Sequence, residues 1–107
     1  MNHGLHLPIL TIRTSEVFDN WFRSLRDRLA KRRIQARIDR LALGNPGDAR
    51  CVGVPISEMR IDHGPGYRVY YVQRGVMLAI LLCGGDKSTQ AADIRTAHKM
   101  LGNLDME

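Results

Sequence analysis

"SEMRIDHGPGYRVYYVQRGVMLAILLC" (Ser57–Cys83) holds the change of hydrophobic period that decides the fold. Tyr67–Gln73 is rich in tyrosine and valine and reads as a strand. Gly64-Pro65-Gly66 before it is a turn, so Ser57–Asp62 becomes a strand leading into a hairpin. After it, Gln73–Gly75 is a second turn. Val76–Cys83 is apolar without interruption, which predicts a central strand covered on both faces. Arg50–Val54 predicts a further strand, separated from Ser57–Asp62 near Pro55.

Outward from this block the period becomes helical. Phe18, Trp21, Phe22 and Leu25 recur at the spacing of one helix face, with Thr14 or Ser15 as cap and Glu16 and Asp19 suited to the first turn. A second helix begins near Asp27 and buries Ala30, Ile34, Ile38 and Leu41. "GNPGD" (Gly44–Asp48) ends it. The two helices form a hairpin. Leu7–Arg13 reads as a short first strand. "GGDKST" (Gly84–Thr89) is expected to break the sheet. Ser88 or Thr89 then caps a last helix with Ile94, Ala97 and Leu101 on one side, stopped by Gly102 and Asn103. The resulting order is β-α-α-β-β-β-α, an α+β protein with helices packed on an antiparallel sheet.

The chain has 107 residues and is 44% hydrophobic, enough for one core, so residues 1–107 are read as a single domain. Cys51 and Cys83 are too few and too isolated for a zinc cluster or a disulfide framework, and read as buried reduced thiols. "MNHGLHLPILTIR" (Met1–Arg13) lacks the pattern of a signal peptide, and the longest apolar run is far short of the roughly 20 residues of a membrane helix. The expectation is a soluble, cytoplasmic protein with no membrane partner. A net charge of +5 and a pI near 9.8 favour an acidic partner. That charge is concentrated: Trp21–Arg40 carries eight Lys/Arg, among them Arg26, Arg33, Arg37 and Arg40, against Asp27 and Asp39. Such a helix is either a solvated exterior or a face for phosphates or an acidic protein.

Strand alternation puts Glu58, Arg60 and Asp62 on one face. If Arg60 pairs opposite Arg68, both arginines share that face with Cβ atoms about 5 Å apart; a slip of one residue separates them. Like charges directly opposite are unfavourable, so a fold gains little from the pair, whereas a phosphate site needs it. The alternative is that Glu58 and Asp62 neutralise the arginines on a solvated face. "GGDKSTQ" (Gly84–Gln90) can form an anion nest of backbone N–H groups with Lys87 beside it, or a plain strand-to-helix turn. His63 lies near the arginines and is either a proton shuttle or a solvated turn residue. His3, His6 and His98 have no metal-ligand spacing, and nothing in the chain calls for a metal or a cofactor.

Taken together, "FDNWFRSLRD" (Phe18–Asp27), "RIQARIDRLALGNPGD" (Arg33–Asp48), "SEMRIDHGPGYRVYY" (Ser57–Tyr71) and "LLCGGDKSTQAADIRTA" (Leu81–Ala97) resemble the RelE/ParE superfamily of toxins from type II toxin–antitoxin modules. Within it the chain looks closest to the HigB-like, phage-derived addiction module killer branch. The resemblance implies a RelE-like fold: an N-terminal helix hairpin on a twisted, mainly antiparallel sheet, with a short C-terminal helix. It implies a metal-independent endoribonuclease that cuts mRNA on the ribosome. Arg68, Arg60 and Lys87 match the family's basic catalytic positions, and Asp93 stands near the place where some members carry a tyrosine.

The chemistry expected from that resemblance is attack of a ribose 2′-hydroxyl on its neighbouring phosphate. Arg60 and Arg68 would stabilise the charge that develops, Lys87 would hold the leaving side or a flanking phosphate, and His63 or Glu58 would move a proton. Tyr67 or Tyr70 would stack an RNA base. The implied partners are mRNA and the ribosome, a cognate helix-turn-helix antitoxin, and operator DNA indirectly through that antitoxin. Arg26, Arg33, Arg37 and Arg40 form a candidate partner-binding face. The alternative within the same superfamily is a ParE-like toxin that inhibits DNA gyrase by protein contact.

Overall fold

Ser15, whose side chain accepts a hydrogen bond from the backbone N–H of Phe18, starts the first helix, and Asp27 does the same for the second through Leu29 and Ala30. In this computed structural model, which describes residues 9–105, the elements are β1 Thr11–Thr14, α1 Glu16–Ser24, α2 Arg28–Ala42, β2 Ala49–Cys51, β3 Ile56–Ile61, β4 Tyr67–Arg74, β5 Leu78–Asp86, a 3-10 turn Lys87–Thr89, and α3 Gln90–Asp105. The class is α+β. The sheet has five strands in the order β1-β5-β4-β3-β2, antiparallel except that β1 runs parallel to β5. No helix among the described residues is long and apolar enough to cross a membrane.

Alternation along the strands divides the core between the two faces of the sheet. Met59, Ile61, Val69, Tyr71, Ala79 and Leu81 point to one face, where Phe18 of α1 and Ile34, Ile38 and Leu41 of α2 cover them. Ile56, Tyr70, Val72, Leu82 and Cys83 point to the other, under Ala97 and Leu101 of α3. A bulge in the β4–β5 ladder, between the pairs Tyr71↔Leu81 and Tyr70↔Cys83, supplies Leu82 as an extra residue to the α3 face.

Several expectations need correction. The order β-α-α-β-β-β-α is one strand short of the segments read for it: Arg50–Val54 and Ser57–Asp62 do form separate strands, β2 and β3, which pair with each other. β2 is only three residues long, because the chain turns at Val52–Pro55. Of the predicted first strand, Leu7 and Pro8 lie outside the described residues, as do His3 and His6, and pairing begins at Thr11. Val76 and Met77 are exposed in the β4–β5 turn rather than within a strand. β5 does not break at the glycines but runs through Gly84 and Gly85 to Asp86. The glycines serve close approach: a Cβ on Gly84 would collide with the Trp21 ring, and one on Gly85 with the Asp93 carboxylate. Asp86, rather than Ser88 or Thr89, is the cap, through a box with Thr89. α3 passes through Gly102 and Asn103, and at 16 residues it is the longest of the three helices, not a short one. Cys83 is buried, and burial pushes its thiol up to about 12, but Cys51 is exposed on the edge strand.

Candidate functional site

The β3–β4 hairpin closes through a loop in which Gly64 and Gly66 take positive φ angles of 56° and 81°, the region glycine enters without steric cost. This loop fixes the register so that Arg60 lies directly opposite Arg68. Both side chains therefore point to the α3 face, one pair beyond Glu58 and Tyr70. Gly85 pairs with Arg68 from the other side, and the Asp93 carboxylate and Thr89 hydroxyl take the space its Cβ would need.

Glu58 is fully buried and accepts four hydrogen bonds. Arg50 Nε (3.2 Å) and Arg68 Nη1 (3.0 Å) donate to Oε1, and Tyr70 Oη (3.0 Å) and Gln90 Nε2 (2.9 Å) donate to Oε2. Burial by itself pushes the Glu58 carboxyl up, but the hydrogen bonds from Gln90, Tyr70 and Arg50 and the charge of Arg68 together hold it below its ordinary value. The Tyr70 hydroxyl is pushed up by burial and by its bond to Glu58. The carboxylate thus stays ionised and anchors Arg68, whose side chain is only 11% exposed.

Arg60 is anchored differently. Its Nη2 donates to Asp48 Oδ1 at 2.8 Å, in an ion pair at the surface. Asp48 is held in turn by its backbone: its carbonyl accepts from the Arg60 N–H (2.9 Å) and from Arg37 Nη2 (3.2 Å). Lys87, exposed at the start of the 3-10 turn, makes no ion pair with any described residue. Arg60, Arg68 and Lys87 line one open hollow of about 480 Å³ with Asp48, Asp62 and the Gly64–Gly66 turn. The Nε atoms of Arg60 and Arg68 are buried with no hydrogen-bond partner. A concave surface with three cations and two unsatisfied buried donors suits an oxyanion.

The remaining expected residues fall elsewhere. Glu58 lies beneath the hollow with every oxygen engaged, so it is a support for Arg68 and not a ready proton acceptor. His63 Nε2 pairs with Asp27 Oδ2 at 2.9 Å, on the helix-hairpin side, and its ring stacks on Tyr67. That bond, with the backbone N–H of Ala30, holds the Asp27 carboxyl below its ordinary value. His63 is thus neither a solvated turn residue nor a group facing the hollow. Tyr67 sits on the hairpin face with its ring edge toward Trp21, and Tyr70 is wholly buried, so neither presents a ring to a ligand in the hollow.

The proposed nest is already occupied, because the Asp86 carboxylate accepts from the backbone N–H (2.8 Å) and the hydroxyl of Ser88. On α2, Arg33 and Arg40 are exposed along a groove of about 260 Å³, and Arg26 is exposed in the link between the helices. Arg37 is not part of a free face: its guanidinium donates to the carbonyls of Arg60, Pro46 and Asp48, fastening α2 to the end of β3.

Asp48, Arg50 and Gln90 all matter to the hollow and escaped sequence reasoning, as did the buried role of Glu58. The spacing of Arg50, Glu58 and Arg68 follows from strand alternation once β2, β3 and β4 are aligned, and the register of β2 against β3 is what the sequence did not supply. Asp48 and Gln90 carry no such signal, since one lies in a loop and the other comes from a helix on top of the sheet.

No family model matches the chain. An uncharacterized protein of Haemophilus influenzae is 48% identical over 95 residues, which cover 89% of this chain and 96% of that protein. The chain therefore belongs to the same family as this Haemophilus influenzae protein.

Proposed function

We propose that this chain is the toxin of a type II toxin–antitoxin module, a RelE/ParE-like protein of the HigB-like branch that cuts mRNA on the ribosome without a metal. The observation that carries the reading is the gathering of Arg60, Arg68 and Lys87 around one hollow. A helix hairpin on one face of a mainly antiparallel sheet also agrees with a RelE-like fold.

In this reading an RNA phosphodiester enters the hollow. The 2′-oxygen forms a bond to phosphorus as the bond to the 5′-oxygen breaks, leaving a 2′,3′-cyclic phosphate and a 5′-hydroxyl. Arg68 and Arg60 stabilise the non-bridging oxygens, and such charge stabilisation contributes more to rate than any other effect expected at a site of this kind. Arg68 acts from a fixed position because Glu58 holds it. Lys87, an ammonium with three donors, stands on the leaving side and gives the departing 5′-oxygen its proton. With Asp48 engaged by Arg60, the carboxylate at the hollow that takes the 2′-proton in this reading is Asp62. A helix-turn-helix antitoxin would mask this basic surface and carry the complex to operator DNA, with the exposed arginines of α2 free to meet antitoxin or ribosome.

A second reading, a ParE-like inhibitor of DNA gyrase, is favoured by one observation: Arg60 and Arg68 already hold carboxylate partners. One experiment separates the two. The chain and its Arg68→Ala variant are induced in cells and mRNA 5′ ends are mapped, while purified protein is tested for inhibition of gyrase supercoiling. The nuclease reading expects new 5′ ends that fall by about 10²–10³ in the variant. Unchanged cleavage and growth arrest with Arg68→Ala, or gyrase inhibition without new 5′ ends, overturns it.

A further inference from the structure

The hollow is less positive than its three cations suggest. Asp48 and Asp62 line it together with Arg60, Arg68 and Lys87, so its formal charge is +1. Behind that lining Arg50 and Glu58 cancel as an ion pair, while the Asp93 carboxylate, against Gly85 beside Arg68, adds one further negative charge. Asp48 does not drift over a loose surface. Two hydrogen bonds to its carbonyl fix its backbone, and its Oδ1 accepts from Arg60 Nη2 at 2.8 Å. A phosphodiester inside a chain carries one negative charge. A phosphate end carries close to two at neutral pH, since its second pKa is near 6. The single charge of the diester therefore balances the lining, whereas the phosphate end adds a second charge against Asp48, Asp62 and, behind them, Asp93.

We infer that Asp48, seated on Arg60 at the rim of the hollow, sets ligand specificity by matching the site to a single-charged internal phosphodiester and disfavouring doubly charged phosphate ends. The inference rests on the reading of Arg60, Arg68 and Lys87 as a phosphate site, and it makes that site one for the interior of a strand. Asp62 acts in the same direction from the hairpin loop. Asp48 is a specificity residue that works through Arg60 and through charge, and its side chain is exposed enough that its replacement leaves the core untouched.

The test uses the full chain and two probes that differ by one methyl group: phenyl phosphate, a dianion at pH 8, and methyl phenyl phosphate, a monoanionic diester. Binding is followed by NMR titration of the Arg68 and Lys87 amides at low salt. The wild type should bind the diester at least as tightly as the monoester. Asp48→Asn should raise affinity about tenfold for the dianion and about threefold for the monoanion, because removing one fixed charge acts on each ligand charge separately. Asp62→Asn should shift the two in the same sense. Equal gains for both probes, no gain for either, or a wild type that prefers the dianion tenfold would each overturn the inference. Neither probe has a ribose, so the outcome does not depend on cleavage. The expected shift without cut mRNA in cells removes the nuclease and keeps the charge matching; cut mRNA without the shift does the reverse.

Discussion

Three cross-strand pairs lie in a row on one face of the β3–β4 ladder: Ile56 with Val72, Glu58 with Tyr70, and Arg60 with Arg68. The first belongs to the core under α3, and the last borders an open hollow. Strand geometry is the same at both ends; the difference lies in what sits above. Once Asp86 has capped the turn after β5, α3 runs back over the Ile56 end and leaves the Arg60 side of the arginine pair open. The middle pair joins the two regimes, with the tyrosine ring in the apolar layer and its hydroxyl on a carboxylate that also holds Arg68. A binding surface is thus built from the same ladder as the core, by ending the cover early and placing one ionised group at the border.

Breaking that border should have the largest effect on the fold. Glu58→Ala strands Arg68, Tyr70 and Gln90 without their acceptor, and a loss of about 3–5 kcal/mol in unfolding free energy is expected in denaturant titrations. A loss below about 1 kcal/mol would mean that the carboxylate does not organise the ladder.

A smaller change, Glu58→Gln, sharpens the comparison through pH. Folded Glu58 holds its proton more weakly than the unfolded chain does. Stability is therefore fully present above the ordinary glutamate value of 4.5 and is lost as pH falls through the lower folded value. The amide of the Glu58→Gln variant cannot titrate, so that protein should start less stable at neutral pH and show a shallower acid limb in Tm against pH. An acid limb parallel to the wild type would assign that loss to other carboxylates.

The smallest effect is expected at the apolar end. Ile56→Val should cost about 0.5–1.5 kcal/mol, the range for one methylene removed from a packed core. It should leave both the acid limb and the binding of phosphate esters as they were. A change in either would show that the two ends of the ladder are not separable.

The parts of this arrangement that were legible in the sequence are those set by local periodicity. α1 and α2, their buried stripes and the Asp27 start follow from helical spacing, and the Arg60–Arg68 pairing is one of the registers the Gly-Pro-Gly loop left open. What was not legible depends on contacts between elements distant in the chain. Gly84 and Gly85 read as a break because glycine weakens strands, yet here they admit Trp21 on one face and Asp93 on the other. Alternation placed Glu58 beside Arg60 but could not say that Gln90 would close over it. Arg37 looked like one more surface cation, although its three acceptors are backbone carbonyls from the far side of the turn. In each case the missing information was the tertiary neighbour, not the local conformation.

The parallel pairing of β1 with β5 has a consequence for how the molecule is made. Among the described strands β1 pairs only with β5, and the Ser15 hydroxyl reaches the carbonyl of Leu82 across a sequence separation of 67 residues. During synthesis the opening strand must wait for nearly the last one to leave the ribosome before it can dock. Lys87 and the helix that closes the second face emerge later still. Assembly of this sheet is therefore weighted toward long-range pairing, and the basic hollow is completed only after the helix hairpin and β2–β5 have been made.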